Sequence, residues 1–188
     1  MPREIIRCSW VTKDPLYIDY HDIEWGTPIY DDRLLFKSLL LETFQSGLSW
    51  ITILKKRENF SKLFDNFNYL KISNYSDEKL AILLKDQRII RHKGKIKASR
   101  INANAFIKIQ DEFNSFSNYI WSFVKNRPIK NSFKYTKEIP SETKLSNKIS
   151  QDLRKRGFKF VGPITIYSFM QAVGIVNDHT TNCFKYKK

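Results

Sequence analysis

The sequence predicts an all-α fold. Three observations carry it: apolar residues recur at helical spacing nearly throughout, Ser and Asp caps stand before several of those runs, and no stretch alternates convincingly as a strand. Asp31 and Asp32 are placed to cap a helix through RLLFKSLLLETFQ, which Ser46-Gly47 ends. Ser49 can cap a short second helix, WITILKKREN, with Trp50, Ile53 and Leu54 on one face. Ser76 opens a third through Leu80, Leu83 and Leu84, and Asp77 and Glu78 suit the positive end of its dipole. A longer helix follows Gly94, with Ile96, Ala103, Ile107 and Phe113 as its buried stripe. Ser117 starts NYIWSFVKN, which Pro128 closes. From Arg127 to Pro140 no period is evident, and the stretch reads as a surface loop. Leu145, Ile149 and Leu153 line the next helix, and Arg154-Lys155-Arg156 ends it before Gly157. Pro163 suits the first position of a last helix, ITIYSFMQAVG, with Ile164, Tyr167 and Met170 or Val173 inward.

Length and composition narrow the function. A chain of 188 residues is expected to form a single domain, residues 1–188, with a substantial core. Hydrophobic residues at 41% argue against disorder. The net charge of +14 points to a polyanionic partner, with nucleic acid first in line, although many lysines only solvate a surface. MPREIIRCSW has no apolar signal-peptide core and no run approaches membrane-span length, so the expected compartment is the cytoplasm.

Both cysteines and two of the three histidines lie near the ends: Cys8 and His21, then His179 and Cys183. Two thiolates and two imidazoles make a complete tetrahedral zinc set with no place for substrate, hence a structural clasp joining the termini. Two buried thiols beside unrelated histidines, or a disulfide, are the alternatives.

Between the last two helices runs Gly157-Phe158-Lys159-Phe160-Val161-Gly162. A helix, a tight glycine-bounded hairpin and a helix expose backbone N–H groups to which a phosphate can bind, and Arg156 and Lys159 lie beside them. An ordinary interhelical turn would use the same glycines. A second basic stretch, from Arg88 to Arg100, is either a phosphate contact or a solvated helix start.

Glu42 is out of place among leucines, and a carboxylate against an apolar face is costly without a partner. Trp50 follows it, and Tyr17, Tyr20 and Trp25 cluster after Cys8. Aromatic faces around one carboxylate suit a flipped purine with an exocyclic amine. The plainer reading makes the aromatics core and Glu42 a solvent-reaching or capping residue.

Five blocks carry a resemblance: RCSWVTKDPLYIDYHDIEWG, LLLETFQSGLSWITILKKRENF, IIRHKGKIKASRINA, WSFVKNRP and KRGFKFVGPITIYSFMQAVGIVNDH. In this order they resemble DNA-3-methyladenine glycosylase I, from Cys8 to Cys183. The resemblance implies a helix-hairpin-helix glycosylase fold whose ends are clasped by one structural zinc at Cys8, His21, His179 and Cys183. It implies a base pocket of catalytic Glu42 with Tyr20, Trp25 and Trp50, and Tyr17 beside it. Gly47 and Leu48 match the segment that fills the gap left in the duplex, and Gly157, Lys159 and Gly162 belong to the DNA-gripping hairpin. The implied partner is double-stranded DNA carrying alkylated bases, approached by a monomer.

Two positions depart from the wider superfamily and a third, Phe44, from the residue expected of the family itself. Asn177 stands where most of its glycosylases carry an aspartate. Ile164 holds the hairpin position of the Schiff-base lysine in lyase-competent relatives. Phe44 replaces an expected glutamine. Two rival functions remain at this stage: a non-catalytic zinc-clasped DNA-binding module, and a glycosylase for oxidised or mismatched bases.

Overall fold

The computed structural model describes residues 5–186. Asp14 caps α1 (Pro15–Asp19), which passes directly into a π-helical turn, Tyr20–Glu24. Asp31 then caps α2 (Asp32–Gln45), its carboxylate accepting from the Leu34 N–H at 2.8 Å. Ser46 ends that helix as its C-cap, and Gly47 follows in the left-handed region at φ +84°. Helix α3 (Trp50–Leu63) starts at Ser49 and runs longer than its apolar spacing suggests. Helices α4 (Tyr69–Ser73) and α5 (Asp77–Lys85) are capped by Asn68 and Ser76.

Helix α6 (Lys93–Phe113) is the longest among the described residues. Its buried stripe runs through Ile96, Ala103, Phe106 and Ile109, so Ile107 and Phe113 stand at its edge, partly exposed. Helix α7 (Phe116–Ser122) begins at Ser115 rather than Ser117. Asp32 explains the shift: its carboxylate accepts from the Phe116 and Ser117 N–H groups at 2.8 and 2.7 Å, so both already belong to the first turn.

The unpatterned stretch after α7 is more ordered than a plain loop. Ile129–Lys130 forms a two-residue strand, β1, pairing in parallel with β2 (Val176–Asn177). Thr136–Glu138 adds a 3₁₀ turn. Helices α8 (Lys144–Lys155) and α9 (Pro163–Ala172) form the predicted helix–hairpin–helix pair, and α9 has Pro163 in its first turn. Ile164 points outward, 56% exposed, while Ile166, Phe169 and Met170 fill the core.

Helix α2 is the axis of the molecule and packs on α3, α6, α7 and α9. Every residue from Leu39 to Phe44 is buried, which explains its nearly continuous apolar run. Phe44 is fully enclosed and stacks edge-on against Phe60 and Phe64, so the departure from glutamine there is a core-packing one. No helix among the described residues is long and apolar enough to cross a membrane.

Candidate active site and metal cluster

Three elements bring the aromatic residues to one place. The segment after Cys8 carries Trp10, α1 and its π turn carry Tyr17 and Tyr20, and Trp25 caps that turn. The Glu24–Arg57 ion pair, at 2.6 Å, fastens the turn to α3, which supplies Trp50 at its first position. Trp10 meets Tyr17 and Trp25 at ring separations of 5.7 and 5.0 Å, and Tyr20 meets Trp50 at 5.2 Å. Together with Glu42 they wall a cavity of about 410 Å³, enough for a purine. All five residues singled out from the sequence, Tyr17, Tyr20, Trp25, Glu42 and Trp50, line this one cavity.

Glu42 is 3% exposed, and no hydrogen bond or ion pair reaches its carboxyl group among the described residues. Burial therefore pushes its pKa up from 4.5 to about 8. Burial also raises the Tyr20 hydroxyl, and the charge on nearby Glu42 adds to that. The indole N–H of Trp50 is likewise buried without an acceptor. A cavity with an unpartnered carboxyl group in aromatic walls is short of a polar partner that a ligand can supply.

Sequence reasoning missed other lining residues. Trp10, Gln45, Tyr167, Ser168 and Gln171 face the cavity, and the turn around Thr136 forms its rim. The face of α9 was legible in the i, i+3, i+4, i+7 spacing of Ile164, Tyr167, Ser168 and Gln171. Asp178 lies behind it with both oxygens engaged, accepting from Asn131, Tyr167 and Gln171 at 2.6–2.7 Å. At the rim, the Gln45 side chain closes the turn by donating to the Leu48 carbonyl at 2.9 Å, which leaves Leu48 39% exposed.

Behind the aromatic wall, Cys8, His21, His179 and Cys183 converge, all buried, with their ligand atoms within 4.8 Å of one another. The sulfur-to-nitrogen edges measure 3.6 Å for Cys8–His179, 3.6 Å for Cys183–His179 and 3.4 Å for Cys183–His21. A tetrahedral ion with ordinary Zn–S and Zn–N bonds would set such edges at about 3.6 Å. The far ring nitrogens are occupied as well. His21 Nδ1 lies 2.7 Å from the Asp22 carboxylate, which Arg7 grips in turn, and His179 Nε2 lies 3.1 Å from the Trp25 carbonyl. Both rings therefore donate outward and turn a lone pair inward, as metal-bound imidazoles do. Gly26 is needed here: it sits at φ +74°, and a Cβ would come within 3.1 Å of His179. The two thiols are free, so the disulfide alternative falls.

The hairpin corrects one expectation. The N–H groups of Gly157, Phe158 and Lys159 are already used, donating to Arg154 O, Leu153 O and Asn102 Oδ1 at 2.8–3.0 Å. Asn102 also donates to the Lys159 carbonyl at 3.0 Å, clamping the hairpin to α6. The N–H groups of Phe160, Val161 and Gly162 have no internal acceptor among the described residues, and Phe160 holds a left-handed φ of +57°. Arg156 is taken too, pairing with Glu112 and Asp152 at 2.6 and 2.7 Å and lying over Phe113 and Tyr119. The Lys159 side chain is exposed. In the second basic stretch, Lys95 is buried and caps the C-terminus of α2, donating to the Phe44 and Ser46 carbonyls at 3.0 and 2.6 Å. Arg88 and Arg100 pair with Asp86 and Asp77, leaving Arg91, Lys93 and Lys97 as exposed cations.

Comparison with known proteins decides the family. The family model described as methyladenine glycosylase matches residues 10–186. The chain belongs to the methyladenine glycosylase family. DNA-3-methyladenine glycosylase 1 of Escherichia coli (strain K12) is 47% identical over 180 residues, 96% of each chain. The DNA-3-methyladenine glycosylase of Haemophilus influenzae is 42% identical, over 94% of this chain and 96% of that one. The fold matches a crystal structure of 3-methyladenine DNA glycosylase I with a TM-score of 0.93 at 48% identity, covering 95% of this chain and 98% of the other. It also matches the Staphylococcus aureus member, described in a study of 3-methyladenine recognition, with a TM-score of 0.93 at 36% identity and 97% coverage of both chains. Like those family members, the protein is mostly helical, with two short strands among the described residues.

Proposed function

We propose that this protein is a DNA repair hydrolase that flips 3-methyladenine out of alkylated double-stranded DNA and cleaves its N-glycosidic bond, acting as a single-domain cytoplasmic monomer. The observation that carries it is Glu42, a buried carboxyl group without a partner in a purine-sized aromatic cavity.

Alkylation at N3 gives adenine a positive charge, which makes it a good leaving group. Selection and extrusion then matter more than acid catalysis. In the empty cavity Glu42, with a pKa of about 8, is largely neutral at physiological pH. A cationic base drives its proton out to solvent water, and the resulting carboxylate takes a charge-assisted hydrogen bond from the amino edge. The faces of Tyr20, Trp25 and Trp50 favour the cation further, by roughly 0.5–2 kcal/mol for each good contact. Unmodified adenine lacks the charge, so it both binds and leaves less readily. Water then completes the reaction at the sugar. Ile164 lines the cavity but offers no amine for a Schiff base, which supports hydrolysis without strand cleavage.

The duplex is held at the mouth of the cavity. The free N–H groups of Phe160, Val161 and Gly162, with those opening α9, form an anion cradle on the backbone, and Lys159 adds a charge. Gly157 serves this hairpin through its left-handed φ of +96° rather than through its N–H. Gly47 and exposed Leu48 form the wedge that fills the space of the flipped nucleotide.

One structural zinc at Cys8, His21, His179 and Cys183 is the reading the donor set supports, because two thiols, two inward lone pairs and four-coordinate edges suit that ion. It would fasten the two ends of the chain and leave the chemistry to the cavity. The experiment that tests the function is incubation of purified protein with methylated DNA and chromatographic identification of the released base. Released 3-methyladenine from intact-strand DNA supports the reading; no released base refutes it.

A further inference from the structure

Among the cavity residues, Gln171 has a polar orientation that the fold determines from deep in the wall. Its amide nitrogen donates to Asp178 Oδ2 at 2.7 Å. The same oxygen accepts from the Tyr167 hydroxyl at 2.7 Å, and Oδ1 accepts from Asn131 Nδ2 at 2.6 Å. Asp178 is completely buried and gathers three donors, from Asn131, Tyr167 and Gln171. The Gln171 atom facing it is therefore the nitrogen, and the atom turned away is Oε1. No protein donor reaches Oε1 among the described residues, although the side chain lines the same cavity as Glu42. The backbone is pinned as well: the Gly26 N–H donates to the Gln171 carbonyl at 3.0 Å, joining α9 to the segment that carries Trp25.

We propose that Gln171 Oε1 is a second base-reading acceptor in this cavity, and that Asp178 is the positioning residue that keeps it an acceptor. The inference rests on the glycosylase reading above. A 6-aminopurine carries two N–H donors on its exocyclic nitrogen; Glu42 takes one and Gln171 the other. Glu42 does not by itself tell a 6-amino from a 6-oxo group, because a neutral carboxyl group both donates and accepts. Gln171 cannot adapt in that way. With its nitrogen held by Asp178, it opposes a 6-oxo group oxygen to oxygen, and both acceptors are left buried without a proton between them. Gln171 is thus the residue that sets 3-methyladenine apart from 6-oxopurines of the same shape.

The test titrates wild type, Gln171→Met and Asp178→Asn with free 3-methyladenine and with 3-methylhypoxanthine, its 6-oxo counterpart, reading quenching of the cavity tryptophans. Wild type is expected to prefer 3-methyladenine by about tenfold or more, the worth of one buried hydrogen bond. Gln171→Met keeps the length and loses the acceptor, so most of that preference disappears. Asp178→Asn offers an amide that can donate, lets Gln171 turn its nitrogen to the cavity, and shifts the preference the same way. A purely structural role would weaken both bases together and leave their ratio unchanged. A Gln171→Met protein that keeps the wild-type ratio overturns the inference. Should neither variant fold, wild type alone decides, since equal affinity for the two bases also overturns it. Release of 3-methyladenine from methylated DNA tests the underlying reading separately, so an active enzyme indifferent to the two free bases sinks this inference alone.

Discussion

Two neighbouring regions treat buried polar groups in opposite ways. Around the chain ends, Asp178 collects three donors, and both cluster histidines find partners for their outward nitrogens. Across the aromatic wall, Glu42 is as deeply buried, yet it has no partner, and neither has the Trp50 indole. Both carboxyl groups are buried, so the difference is compensation. A buried polar group satisfied from within holds the fold together. One left unsatisfied costs stability and has to be accounted for by something that arrives later.

The largest effect should come from breaking the satisfied side. Cys183→Ala, or stripping the metal with a chelator, is expected to cost several kcal/mol, lowering the melting temperature by on the order of 10 °C. Metal analysis of protein purified without chelator should show about one zinc per chain; a metal-free protein that melts unchanged on adding chelator would remove the clasp from this account. Asp178→Ala comes next. Three donors lose their acceptor, for an expected destabilisation of about 3–5 kcal/mol by denaturant titration.

Glu42→Gln should move stability the other way. The folded pKa of Glu42, about 8, lies above its unfolded value of 4.5, so the folded state holds its proton more tightly. Wild type then loses stability as pH rises from the unfolded value, with the loss levelling off above the folded one. The glutamine variant lacks this slope and should be more stable by a few kcal/mol at pH near 9 while differing little at acid pH. Parallel melting curves for the two proteins across that range would show that Glu42 is compensated after all.

The smallest contrast separates the two cations flanking the hairpin. Arg156→Ala should cost roughly 1 kcal/mol of stability through lost pairing and packing, and should change DNA affinity little. Lys159→Ala should leave stability alone, weaken binding to any duplex modestly and reduce the salt slope by about 1. Identical behaviour of the two variants in both assays would erase the distinction drawn between them.

The same contrast explains what was readable in the sequence. Caps are local, so Asp31, Ser76 and Pro163 mark their helices directly. Rare residue types are conspicuous, which is why the two cysteines and two histidines of the cluster stand out, as does a glutamate inside a run of leucines. Partners far along the chain leave no local signal. Nothing near Arg156 announces Glu112, nothing near Lys159 announces Asn102, and Asp32 gives no hint that it will cap α7. On α9 Ile164 departs from its inward expectation for a related reason, whereas Tyr167, Met170 and Val173 are buried. Helical spacing shows that Tyr167 and Gln171 share a side but not whether that side meets core or cavity, and Ile164 was placed inward on apolarity alone.

The most direct measurement is the rate at which Glu42→Gln releases 3-methyladenine from methylated DNA, in single-turnover conditions beside wild type. The variant keeps the shape of the cavity and loses the charge proposed to meet the cationic base. Removing one charge-assisted hydrogen bond of roughly 1.5–3 kcal/mol predicts release about ten- to a hundredfold slower from a protein at least as stable as wild type. Release at the wild-type rate would contradict this expectation and the catalytic role proposed for Glu42.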